Sequence, residues 1–411
     1  MSPEGLATGR NGAKIACGMA KVDLIYFEAG GGHRAAARAL EMVLREQNSW
    51  RVRLMNLQEV LRPMDTVRRL TGLETQDIYN RLLARDWTRG IAYLLPVLHA
   101  MVRLRHGEEV RLIENHWRSD PPDLAVSLIP HFNRALRQAL SGAAPAAPFV
   151  TILTDLADYP PHFWMERQDQ FFICGSARAA AQARAFGIAC DRIFRTSGMI
   201  LHPRFHQQLE LDRGAERQAL GLDPGIPTGL VMFGGSGSNA MLEIAERLEE
   251  CGEQIQLISI CGKNEQLVQA LQSRRHCLRH FVLGYTTEVH KYMYLSDFFI
   301  GKPGPGSLSE AIAMKLPVIV ERNPRTMPQE RYNIEWVLEN GLGLVVPSFE
   351  KICEAVRELI APSNLARLRA NVTAIENRAV FEIPEILKTI MFKRSPAAIK
   401  AAVGPRPGSP A

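Results

Sequence analysis

One stretch constrains this chain more than any other: Phe299 to Gly343, FIGKPGPGSLSEAIAMKLPVIVERNPRTMPQERYNIEWVLENGLG. An apolar strand from Ser296 to Ile300 is expected to break at Gly301-Lys302-Pro303-Gly304-Pro305-Gly306. Ser307 is placed to cap a helix that carries Glu310. Glycines let a backbone approach a ligand closely, and the free N–H groups at a helix start favour negative charge. A second apolar strand, Leu316 to Glu321, leads to a polar loop with Gln329, Glu330 and Asn333. A cradle for anions, a carboxylate one turn into the helix and an amide–carboxylate pair beyond the next strand suit the phosphates, ribose and sugar of a sugar nucleotide.

The rest of the chain repeats this strand, turn and helix logic. Val22–Phe27 reads as a strand, Arg34–Gln47 as a helix and Val52–Leu57 as a returning strand. Residues 60–118 read as a helical insertion, and strands resume at Leu124–Leu128, Phe149–Leu153, Phe171–Cys174 and Ile193–Thr196. A segment of Gly, Pro and charge at 198–226 separates this half from a second. There, Gly229–Phe233, Gln256–Cys261 and Phe281–Leu283 precede the stretch above. Strands alternating with helices indicate an α/β fold of parallel sheets, and 411 residues suffice for two cores. The expected division is a flexible start (1–20), one lobe (21–200), a second lobe (201–375), a helix crossing back (376–395) and a flexible tail (396–411).

Several function classes fall away. No run of eighteen apolar residues exists to span a membrane, and the first twenty residues lack the continuous apolar core of a signal peptide. Seven scattered cysteines, none spaced C-x-x-C, point to reduced thiols in the cytoplasm rather than a disulfide frame or zinc site. No metal is expected: Pro203 interrupts the His202/His206 pair, and neither it nor His276/His280 has a third ligand nearby. A net charge of +6 suits an acidic partner, whether nucleotide phosphates or an anionic membrane. Nucleic acid is disfavoured, since no basic arm, recognition helix or aromatic–basic pattern is present. A dinucleotide fingerprint would need glycine where Ala35 stands and an acid at the end of the second strand, where Leu57 stands. Gly301-Lys302 is followed by proline, so it is no Walker loop.

Gly30-Gly31-Gly32-His33-Arg34 follows the first strand, at the strand end where open α/β sheets bind ligands. His33 there can act as a general base on a hydroxyl, or be an ordinary solvated residue in a tight turn. Asp155, in Thr154-Asp155-Leu156-Ala157-Asp158, can orient such a base or bind an acceptor hydroxyl, or simply shape a turn. In the second half, Gly234–Ser238 offers backbone N–H groups and hydroxyls to a pyrophosphate, and Gly262-Lys263-Asn264 ends a strand the same way. Glu310 can accept two hydrogen bonds from a ribose diol. Residues 60–118 carry ten arginines against seven acids among Trp87, Tyr93, Trp117 and many leucines. That is either a surface resting on anionic lipid or a helical bundle with a solvated face.

These residues carry a resemblance. Gly30–Arg34, Thr154-Asp155-Leu156, Gly198–Phe205 and Cys261-Gly262-Lys263-Asn264-Glu265 stand in an order similar to the monogalactosyldiacylglycerol synthases and processive diacylglycerol glycosyltransferases. So do Pro303–Ser307 with Glu310, and Gln329-Glu330-x-x-Asn333 ending at Glu339-Asn340-Gly341. That family is related to the peptidoglycan GlcNAc transferase and shares its GT-B fold, two Rossmann-like domains facing a central cleft. The resemblance implies a UDP-sugar donor in the downstream lobe, a lipid acceptor on the upstream lobe, inversion at the anomeric carbon, and neither metal nor cofactor. His33 falls on the base, with Asp155 beside it and Gly31, Gly32 and Arg34 on the acceptor side. Glu310 falls on the ribose contact, and Gln329 and Glu330, with Asn333, on the sugar-facing element. Gly235 and Ser236, then Gly262, Lys263 and Asn264, and Gly304, Gly306 and Ser307 fall on the phosphate-facing loops. Phe281 and Val282 fall near the uracil. Expected throughout is a peripheral protein at the inner membrane face that moves galactose or glucose to diacylglycerol. The alternatives are a GlcNAc transferase to another lipid, a UDP-GlcNAc 2-epimerase-like isomerase and a non-catalytic nucleotide binder.

Overall fold

The computed structural model describes residues 19–28, 31–47, 49–64, 104–159, 162–274, 278–324 and 326–393. Most of the insertion read at 60–118, the flexible ends, Gly30, His276 and Arg325 lie outside the described residues. Twelve strands are described. They are β1 (Ala20–Tyr26), β2 (Trp50–Asn56), β3 (Leu124–Ser127), β4 (Phe149–Ile152), β5 (Phe171–Cys174) and β6 (Ile193–Arg195), then β7 (Thr228–Met232), β8 (Gln256–Ile260), β9 (His280–Leu283), β10 (Phe298–Gly301), β11 (Val318–Glu321) and β12 (Gly343–Val346). β1–β6 form one sheet in the order β2-β1-β3-β4-β5-β6, and β7–β12 form another in the order β12-β11-β10-β7-β8-β9. Every described pairing is parallel.

The order decides where ligands can sit. Strand order reverses between β1 and β3 in the upstream sheet and between β7 and β10 in the downstream one. At such a reversal the crossover helices leave to opposite faces, opening a crevice beyond the carboxyl ends of the strands. The turn before His33 follows β1, and the turn before Glu310 follows β10, so each lies at its own sheet's reversal.

Central strands are buried on both faces and read as continuous apolar runs, such as Phe149–Ile152 and Phe171–Cys174. Sequence reading misses β12, because Gly343–Val346 is a four-residue edge strand with Leu344 and Val345 only half-buried. It also starts β11 two residues early: the strand begins at Val318, after Pro317, which has no N–H for the ladder. The helix His106–Ser119 holds most of the described part of the insertion. Its Ile113 and Trp117 are fully buried beneath the upstream sheet, and the Trp117 indole donates to Asp23 at 2.9 Å. Trp117 is therefore core, not a membrane-facing residue.

Two chain crossings tie the lobes together. The helix Ala379–Lys393 packs Ile383, Leu387 and Ile390 among Val22, Leu24 and Val126 of the upstream core. Beside it the Ser197 N–H donates to Glu382 at 2.8 Å, and the Asn377 amide donates to the Met199 carbonyl at 3.1 Å. A Cβ added at Gly198 would sit 2.5 Å from Asn377 Cγ, so glycine is what lets the outgoing and returning segments touch.

At the opposite end of β10, buried Asp297 accepts from Thr228 N–H at 2.8 Å, Arg217 at 2.7 Å, Arg213 at 2.9 Å and Arg369 at 2.6 Å. Burial alone would raise its carboxyl, but the charge of Arg213, the Thr228 N–H and Arg217 hold it below the usual carboxylate range. Its stabilisation is thus complete above that range and lost as pH falls below it. Asp297→Asn leaves three guanidinium groups short of a partner. Urea denaturation at neutral pH should show a loss of about 3 kcal/mol. A loss under roughly 1 kcal/mol would mean the cluster is surface decoration.

Candidate active site

His33 sits in the first turn of the helix Gly32–Glu46, which starts from Gly31 in the left-handed region (φ 78°). That helix has no side-chain cap and no acid in its first turn, so its leading N–H groups stay open. The imidazole is half-buried. Its Nδ1 lies 3.0 Å from Thr154 Oγ1, and its centroid is 6.1 Å from Trp164. Burial lowers its pKa to about 4, against the Leu128 backbone, which raises it. At neutral pH the ring is uncharged and keeps a lone pair for a proton.

Asp155 does not orient this histidine. Its Oδ2 accepts the Trp164 indole N–H at 2.9 Å, and the neighbouring Thr154 takes the contact with the imidazole. Asp158 accepts the Trp164 and His162 backbone N–H groups at 2.7 and 3.1 Å, which fixes the loop under the tryptophan. Burial pushes the Asp155 carboxyl up to about 7, with the Trp164 bond opposing and the charges of Glu330 and Asp158 adding to the rise. The influence of Glu330 matters most, because Glu330 belongs to the downstream lobe. Arg178 of the upstream lobe likewise lies over the Tyr332 ring at 5.8 Å. The two crevices face each other across one cleft.

On the upstream side, Arg34 pairs with Glu28 at 2.7 Å, while Gly32 is exposed at the helix start. On the downstream side, the helix Pro305–Ala313 is capped by Gly304, with no side-chain cap bond. Ser307 therefore lies inside the first turn and is not the cap; proline at the first helical position starts the helix three residues earlier. Gly306 and Ser307 carry open N–H groups there, and Lys302 reaches across Gly304 to Glu330 at 3.5 Å. Glu310 is half-buried one turn in, and burial pushes its carboxyl up to about 7. Asn333 is fully buried and donates to the Pro303 carbonyl at 2.7 Å, so it shapes the loop from beneath. Gln329 stays half-buried beside Met327, with Glu330 in the same short turn.

The remaining loops press against this point. Gly262 is left-handed (φ 59°), and a Cβ there would meet the Gly235 carbonyl at 2.3 Å. The Lys263 N–H donates to that carbonyl at 2.9 Å, so Lys263 offers its ammonium, 5.9 Å from the Tyr285 ring centroid, and not its backbone. Gly235 and Ser236 are exposed. Asn264 caps the helix Glu265–Gln272, its Oδ1 accepting from the Leu267 N–H at 3.0 Å. Phe281 stacks on Tyr292 at 6.0 Å, and the Val282 carbonyl accepts from Gln272 at 3.2 Å. The His pairs are accounted for differently: His202 Nδ1 meets Arg204, His206 packs on Phe381, and His280 bonds Ser259. Among the described residues no cluster of three or more His, Cys, Asp or Glu side chains could hold a metal.

Sequence reasoning missed Trp164 and Lys302 as organisers of the site. An indole nine residues past Asp155 carries no spacing signal, and Lys302 reads only as part of a broken Walker pattern.

Residues 230–390 match the model of the glycosyltransferase family 28 C-terminal domain. The probable monogalactosyldiacylglycerol synthase 2, chloroplastic, of Oryza sativa subsp. japonica is 28% identical over 346 residues, spanning 78% of this chain and 69% of that protein. The chain is a GT-B glycosyltransferase. Its solved likenesses include Acinetobacter baumannii MurG, with a TM-score of 0.58 at 12% identity over 90% of this glycosyltransferase and 99% of that chain. The S. aureus MnaA–UDP co-structure gives a TM-score of 0.58 at 14% identity over 96% and 100%. In this glycosyltransferase the matched family domain contains all three downstream loops, Glu310 and Glu330.

Proposed function

We propose that the protein moves a hexose, galactose or glucose, from a UDP-sugar to diacylglycerol or a related membrane lipid, with inversion and without a metal. The observation that carries this reading is that the lobes meet where Arg178 lies over the Tyr332 ring at 5.8 Å, close enough for the Glu330 charge to be felt at Asp155, so the His33 loop and the downstream loops share one cleft. The name of the rice relative supports the galactolipid, and the UDP in the MnaA structure supports the nucleotide. In this reading the open N–H groups of Gly306 and Ser307 and those of the Gly235–Ser236 turn take the diphosphate, and Glu310 takes the ribose diol. His33 removes the proton of the acceptor hydroxyl as oxygen attacks the anomeric carbon and UDP departs. Backbone N–H groups aimed at the departing diphosphate stabilise charge where it develops.

The test is incubation with radiolabelled UDP-galactose and UDP-glucose, with and without diacylglycerol vesicles, read by thin-layer chromatography. A labelled lipid that needs the acceptor is expected. No labelled lipid, or an epimerised donor without acceptor, would overturn the assignment.

We place the protein peripherally on the cytoplasmic membrane face. The net charge of +6 supports this, and among the described residues no helix is long and apolar enough to cross a membrane. Co-sedimentation should favour anionic over neutral vesicles and weaken with salt. Equal recovery with both would argue against it.

A further inference from the structure

Between the lobes, beside the cleft, lies a chamber of about 470 Å³, within the size range of small-molecule sites. The helix Pro305–Ala313 forms one wall, and Leu156, next to Asp155, belongs to another. Ser309, Ile312 and Ala313 share the helix face that lines the chamber, whereas Glu310 is rotated away from it. The helix Arg331–Glu339 does the same: Tyr332, Trp336 and Glu339 line the chamber, whereas Glu330 and Asn333 belong to the cleft. Its other walls are Gly175–Ala177 and Arg195 of the upstream lobe and both crossing segments, 197–199 and 374–377.

The lining is specific in kind. Tyr332 and Trp336 supply two aromatic surfaces, and Ser176, Ser309 and Asn340 supply neutral polar groups. One guanidinium (Arg195) faces two carboxylates (Glu339 and Glu376), so neither a strong anion nor an apolar chain is matched. Among these groups, Ser176 is committed to the Leu156 carbonyl, the Tyr332 hydroxyl to Glu339 at 3.5 Å and the Asn340 amide N–H to the Trp336 carbonyl at 2.8 Å. Arg195 and Glu376 are exposed to the space.

We propose that this chamber binds a neutral glycoside, its hydroxyls on the polar groups and its C–H face on Trp336. Because the chamber touches both lobes and both crossings, a bound glycoside holds one lobe arrangement and so couples to the cleft. In an enzyme that makes a glycolipid, the product's head is such a glycoside; that consequence rests on the proposed activity, whereas the binding does not.

The experiment titrates the full chain with methyl β-galactopyranoside, methyl β-glucuronide and n-hexanol by calorimetry, and separately with UDP. Saturable glycoside binding by about 50 mM is expected, with the other two probes weaker. Trp336→Leu and Ala313→Phe should each weaken it roughly fivefold or more, by loss of the ring face and by filling the space. UDP binding by the same variants reports that they are folded. Glycoside and UDP should change each other's affinity by one common factor. Absence of glycoside binding, binding that both variants leave intact, or tighter binding of the charged or apolar probe would overturn the site. Independent binding of UDP and glycoside would overturn the coupling. A chain that binds glycoside but not UDP would instead contradict the donor assignment and leave the chamber standing.

Discussion

His33→Ala should lower kcat for sugar transfer by about 10²- to 10⁴-fold while leaving UDP affinity nearly unchanged. The described contacts of the imidazole, with Thr154 and Trp164, are both on the upstream lobe. Its role is confined to the acceptor proton. A calorimetric titration with UDP beside a steady-state assay separates the two effects. A His33→Ala enzyme with kcat within a factor of about three of the wild type would remove the residue from the chemistry. The pH profile adds a sharper expectation. Burial lowers the His33 pKa to about 4, so it stays uncharged at pH 6 in the free enzyme. An acid limb near pH 6.5 that vanishes in Thr154→Val would show a histidine far more basic than this environment allows.

Glu310→Gln carries the second large effect. Burial raises this carboxyl to about 7, so near neutrality the empty protein holds it part-protonated. A carboxylate accepts both hydrogen bonds of a diol, whereas the acid offers a donor to one of them. UDP affinity should therefore rise with pH through about 7 in the wild type. In Glu310→Gln it should be flat with pH and lower by about 1.5–3 kcal/mol, the usual worth of a hydrogen bond to a charged group. Stability should move the other way. A carboxyl whose folded pKa exceeds its unfolded one binds its proton more tightly when folded, so it costs stability as pH rises from about 4.5 to 7. Glu310→Gln should thus be more stable than the wild type at pH 8, by on the order of 2 kcal/mol, and no more stable at pH 4.5. Equal stability at both values would mean the carboxyl is solvated. A steady UDP affinity across the pH range would mean it does not meet the ribose.

Much of this was legible in the chain because strand, glycine turn and helix follow one another in both halves. Buried parallel strands such as Phe171–Cys174 declare themselves as short apolar runs, and the loops at their ends carry the glycines and acids of the site. What stayed hidden depends on distance in space. Nothing near Asp155 in sequence says that its carboxylate is spent on Trp164, or that Thr154, one residue earlier, takes the imidazole. Asn264 and Ser307 show the limit of turn chemistry: both are good caps, and only the local backbone decides which one caps. The edge strand Gly343–Val346 had too few buried residues to stand out from a loop.

The most direct test is the structure of a complex with an intact UDP-hexose, read for one distance. If the lobes act on one donor, the anomeric carbon should lie about 5–6 Å from a ring nitrogen of His33, leaving room for a single acceptor oxygen roughly 3 Å from each. A sugar turned from the imidazole, with that distance beyond about 10 Å in the closed form, would contradict the account.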